Sequence, residues 1–92
     1  MELSEEQLTH VKQCGMLGYD IERTINIVDL KASEEADFRR QFQTEGSAVA
    51  KAYQRGKEQA EYGLDIALLK RAKAGDMKAI NELEKRKAYG GR

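Results

Sequence analysis

Three observations predict an all-α fold. The chain has no proline. β-Branched residues such as Val11, Ile21 and Thr24 are sparse, and no window alternates polar and apolar residues long enough for a strand. Apolar residues recur instead at spacings of three and four, the signature of one helical face. Taken in order, the pattern gives an N-terminal three-helix, helix-turn-helix-like unit over residues 1–44. A long helix and a returning helix, together a hairpin, follow over residues 45–92. At 92 residues, near the lower limit of what folds alone, the two parts are expected to form one compact domain.

The first helix opens at Ser4 with Gln7 three residues later, the S-x-x-Q form of a capping box, and Glu5 and Glu6 in the first turn complement the helix dipole. Leu8, Val11 and Cys14 make its apolar face, and Gly15 and Gly18 are expected to end it. Asp20 starts a second helix with Ile21, Ile25 and Val28 on its apolar side. A turn through Asp29, Leu30 and Lys31 leads to a third helix, for which Ser33 is the expected N-cap and Phe38 and Phe42 an i, i+4 apolar pair. Two short helices joined by so tight a turn have the outline of a helix-turn-helix.

Thr44, Glu45, Gly46 and Ser47 break the apolar period. From Ser47 a helical pattern runs to Ala74, and its stripe Val49, Tyr53, Gly56, Ala60, Gly63 and Ala67 steps by four and three. A period near 3.5 residues marks a packing seam. Glycine inside a helix costs about 1 kcal/mol relative to alanine, so Gly56 and Gly63 predict a very close neighbour, either the returning helix or a second subunit; the rival expectation is a kink at one of them. Gly75 is placed to close this helix and Asp76 to cap the next. Leu64, Ala67, Leu68 and Ala72 are expected to face Met77, Ile80 and Leu83 across the hairpin.

Sixteen basic and sixteen acidic residues cancel, but unevenly. Residues 1–44 carry five basic against nine acidic side chains, a net of −4, and residues 45–92 eleven against seven, a net of +4. Such a chain favours head-to-tail packing or a basic tail patch, with Lys85, Arg86 and Lys87 as possible phosphate contacts. Cys14 is the single cysteine, which excludes an internal disulfide and a cysteine-based zinc cluster, and His10 has no second histidine or cysteine near it in sequence. Carboxylates are scattered at caps and surface positions, and no glycine-rich phosphate loop follows a strand. The expectation is a protein that is not an enzyme and that needs no metal or cofactor. No apolar run approaches the roughly 20 residues that span a bilayer. The start MELSEEQ lacks the order of a signal peptide, so a cytoplasmic protein with no membrane partner is expected.

The segments LSEEQLTHVKQCGMLGYDIERTINIVDL and EADFRRQF, a glycine-bearing helix, and LDIALLKRAKAGDMKAINELEKRKAYG together resemble the small terminase subunits of tailed phages and their prophage-borne relatives. The most distinctive part is L-x-x-x-A-x-x-G-D followed by A-I-x-x-L-x-x-R-K-x-x-G, matched by Leu68, Ala72, Gly75, Asp76, Ala79, Ile80, Leu83, Arg86 and Gly90. The resemblance covers nearly the whole chain. It implies a non-enzymatic helix-turn-helix protein that binds duplex DNA through its first part and forms a homo-oligomer through its later helices. Such a protein marks viral DNA for packaging by a separate large subunit that supplies ATPase and nuclease. By position the recognition helix is Ser33 to Phe42, with Lys31, Ser33, Arg39 and Arg40 as the contacts. Glu34, Glu35 and Asp37 lie on the same helix and repel phosphate, which leaves open a helical module that binds protein rather than DNA. A small transcriptional regulator, dimeric on a palindromic site, is the third possibility.

Overall fold

Ser4 begins the first helix as its spacing with Gln7 requires. In a computed structural model that describes residues 2–90, with side chains described through residue 86, the Gln7 amide donates to Ser4 Oγ at 3.1 Å and the Ser4 amide to Gln7 Oε1 at 3.0 Å. Helix α1 runs Glu5–Leu17. It is closed by Gly18 alone, in the left-handed region at φ 72°. Gly15 is buried in the last turn with helical backbone, its carbonyl accepting from the Gly18 amide at 3.2 Å, and does not itself turn the chain out of the helix.

Helix α2 is Ile21–Val28, capped by Asp20, whose Oδ1 accepts from the Arg23 amide at 2.9 Å. It ends at Asp29, with φ 62° the one non-glycine residue at positive φ among the described residues. Aspartate tolerates that conformation because its short polar side chain can bond locally. A 3-10 turn, Ala32–Glu34, then leads into α3, Glu35–Gln43. Ser33 therefore lies within the turn and is not the cap. Glu34 stands at the N-cap position of α3 without a side-chain capping bond to that helix; its Oε1 instead accepts from the Lys31 amide at 3.0 Å, at the start of the 3-10 turn. Ser47 caps α4, Ala48–Lys73, accepting at Oγ from the Ala50 amide at 3.0 Å. Helix α5 is Met77–Gly90. No residue is in a strand, and no helix is long and apolar enough to cross a membrane, among the described residues.

The chain divides into two compact units, Met1–Ala60 and Glu61–Arg92. The division falls within α4, not at Thr44, because the start of that helix completes the first core. Val11, Ile25, Val28, Phe38 and Val49 are buried together, with Leu3, Ile21, Leu30, Phe42, Ala52 and Tyr53 packed around them. Phe42 meets Tyr53 edge-on at 4.9 Å between centroids, and the Tyr53 hydroxyl donates to the Tyr19 carbonyl at 2.7 Å. Cys14 is buried beside this core.

In the second unit Gly75 is left-handed at φ 94°. Asp76 caps α5 by accepting from the amides of Lys78 at 2.9 Å and Ala79 at 3.1 Å, and Arg71 holds its other oxygen at 2.6 Å. Leu68 and Ala79 are buried, with Ala72, Ile80 and Leu83 half-buried. Leu64, Ala67 and Met77 do not join that face; all three are exposed. Arg86 instead reaches across to the Asp65 carboxylate.

Candidate nucleic-acid interface

The positions that the sequence assigns to DNA contact sit on and beside α3. That helix is anchored from one side by Phe38, which has no exposed surface, and by half-buried Phe42. Lys31, Ser33 and Arg40 are exposed and Arg39 is half-buried. The two arginines are surface groups, with side-chain exposures of 41% for Arg39 and 77% for Arg40. Both already have partners. Arg39 forks onto the Glu22 carboxylate of α2, one of the two bonds at 2.9 Å. Arg40 bonds Asp37 one turn back on its own helix.

These pairings set the protonation of the surface. The Arg39 hydrogen bond holds the Glu22 carboxyl below its ordinary value, and Glu22 in turn raises Arg39. Asp37 is lowered mainly by its bond with the Gln41 amide, with Arg40 adding to the effect. Ion pairs this open to water are individually weak and screened by salt. A phosphate can take the place of either carboxylate at little cost. The displaced carboxylates, with Glu34 and Glu35 at the start of the same segment, keep negative charge on this surface and reduce the gain.

In the tail, Lys85 is exposed, whereas Arg86 is committed to Asp65; the side chain of Lys87 lies outside the described residues. The α4 stripe is used unequally. Val49 is fully buried, Tyr53 and Ala60 are half-buried, and Gly56 is buried. A Cβ built at Gly56 would come within 2.8 Å of the Lys12 carbonyl carbon and nearer its oxygen, and one at Gly15 would strike the Tyr53 carbonyl. The close neighbour of Gly56 is thus α1 of the same chain, neither the returning helix nor a second subunit. Gly63 has nothing within 4 Å of such an atom, and Ala67 is exposed. Neither glycine breaks α4.

The crossing of α1 and α4 builds a feature that sequence reasoning missed. Beside it opens a groove lined by Glu5, Leu8, Thr9 and Lys12 of α1 and Ala48, Lys51, Ala52 and Arg55 of α4. Lys51 and Arg55 lie four residues apart on one helix, which the sequence displays. Lys12 is far from them in sequence and joins them only where α1 and α4 approach closely, Gly15 against the Tyr53 backbone and Gly56 against the Lys12 carbonyl. Among the described residues, no group of three or more histidine, cysteine, aspartate or glutamate side chains is placed to hold a metal ion. Comparison with known proteins returns no matching family model, curated protein or solved structure.

Proposed function

We propose that the chain is a non-catalytic DNA-binding adaptor of the kind the small terminase subunits represent, acting in the cytoplasm as a homo-oligomer. In this reading the open side of α3, entered through the left-handed turn at Asp29, lies against duplex DNA. Lys31, Ser33, Arg39 and Arg40 make mainly phosphate contacts. Self-association falls to the second unit and to the later part of the α4 stripe, half-buried Ala60 and exposed Gly63 and Ala67, since Val49, Tyr53 and Gly56 are occupied within their own unit. A separate large subunit supplies any ATPase or nuclease. The observation that supports this is the placement of α3: its phenylalanines go inward while its two adjacent arginines remain at the surface.

A salt titration of duplex binding, read by fluorescence anisotropy, tests the proposal. Each phosphate contact contributes roughly 0.9 to the slope of log affinity against log salt. Arg39→Ala with Arg40→Ala is expected to lower that slope by about 2 while leaving the fold intact. No binding of duplex even at low salt overturns the proposal, and an unchanged slope in the double variant removes α3 as the contact. A protein-binding module is the second reading. What favours it is that Arg39 and Arg40 both sit on carboxylates, in a helix whose first turn is acidic.

A further inference from the structure

Most arginines of this chain are engaged among the described residues. Among the described residues, Arg39, Arg40, Arg71 and Arg86 each hold a carboxylate, and the Arg23 guanidinium lies 4.1 Å over the Tyr19 ring. Arg55 is the one arginine among the described residues without such a partner, and it shares the α1–α4 groove with Lys12 and Lys51, which hold no carboxylate either. The apolar part of the groove lining is small: Leu8 and Ala52 are half-buried, and Ala48 is exposed. Alanines four residues apart on α4 let another backbone approach closely.

We infer that this groove between α1 and the first part of α4 is a docking site for an acidic amphipathic helix of another protein. Two features select that occupant. The first is charge: two cations on one bank, separated by one helical turn, and a third on the other bank are left unanswered by the chain itself. A helix with carboxylates four residues apart presents the same repeat. The second is the floor. An apolar stripe of small side chains covers Leu8, Ala48 and Ala52 and removes them from water, the helix-in-groove mode of recognition. A nucleic-acid backbone answers the cations but leaves that floor wet. The inference stands apart from the DNA proposal, which concerns α3.

The test uses the full chain and a fluorescein-labelled synthetic helix of four turns, with glutamates at i, i+4 flanking a leucine–alanine stripe. Saturable binding is expected, weakened about tenfold by Lys51→Glu with Arg55→Glu, near the upper end for two exposed ion pairs. A counterpart peptide with lysines in place of the glutamates is expected to prefer that reversed variant. Ala48→Trp, which keeps every cation and fills the floor, is expected to weaken binding of the acidic peptide as well. Equal affinity of the acidic peptide for wild type and the reversed variant overturns the inference, as does binding that Ala48→Trp leaves untouched. A duplex that displaces the labelled peptide at lower concentration than the unlabelled peptide does would assign the surface to phosphate instead.

Discussion

Gly56→Ala is the most informative single substitution in this chain, because it sets a general preference against a specific contact. In an open helix the change is favourable by about 1 kcal/mol, since alanine has the better helix propensity. Here the added methyl would fall within 2.8 Å of the Lys12 carbonyl carbon, closer to its oxygen, and 3.1 Å from the Met16 amide nitrogen, where ordinary contact begins at 3.4 Å. The obstruction is backbone on both sides, so α1 and α4 must separate by more than half an ångström. Overpacking of this type costs typically 1–3 kcal/mol, and more where backbone has to shift. The expected net loss is therefore about 1–2 kcal/mol, which for a chain of this size lowers Tm by roughly 5–15 °C. Circular dichroism melting of wild type, Gly56→Ala and Gly63→Ala reads it directly. A Gly56→Ala protein that melts at or above the wild-type temperature refutes the close crossing, and with it the groove built beside that crossing.

Gly63→Ala is the internal control: with open space around the new methyl, it should raise Tm by a few degrees, at most about 1 kcal/mol of stabilisation, and a fall would reveal an unrecognised neighbour. Tyr53→Phe removes the bond to the Tyr19 carbonyl while keeping the ring against Phe42, so a loss of about 0.5–1.5 kcal/mol is expected from denaturant unfolding; no change would show that water replaces the hydroxyl. Acid should destabilise the fold. Asp76 is held below its ordinary value by the Ala79 amide and then by Arg71, Glu22 by Arg39, and Asp37 by Gln41. Their contribution is complete above the unfolded values, near pH 4, and is lost as pH falls toward the lower folded values. Tm measured from pH 7 to pH 3 should be flat at first and then drop, and Asp76→Asn, which keeps a capping side chain, should show a smaller drop; a Tm that rises on acidification contradicts the sign.

What could be read from the sequence was local. The Ser4–Gln7 box, the Asp20 cap and the Gly75–Asp76 break each depend on residues no more than three apart, so spacing alone carries them. Gly15 was the instructive failure. Glycines three apart suggest one helix ending, yet only Gly18 adopts positive φ. The absence of a side chain at Gly15 serves contact with Tyr53, 38 positions away, and no local pattern carries that. Ser33 failed for a different reason: the tight 3-10 turn let the longer Glu34 side chain reach back to the Lys31 amide. Arg40 with Asp37 is an i, i+3 pair and could be foreseen, whereas Arg39 with Glu22 joins two helices and could not.

The same contact connects the two surfaces of the first unit. A glycine on α1 and a glycine on α4 let the helices meet at the backbone, which places Tyr53 where its hydroxyl reaches Tyr19 and its ring meets Phe42. Phe42 and Phe38 in turn hold α3 with its arginines outward. The same approach brings Lys12 beside Lys51 and Arg55. One close crossing therefore positions both the helix proposed to meet DNA and the groove proposed to hold an acidic helix. Gly56→Ala should accordingly weaken both activities together, whereas Arg39→Ala with Arg40→Ala acts on the first, and Lys51→Glu with Arg55→Glu on the second.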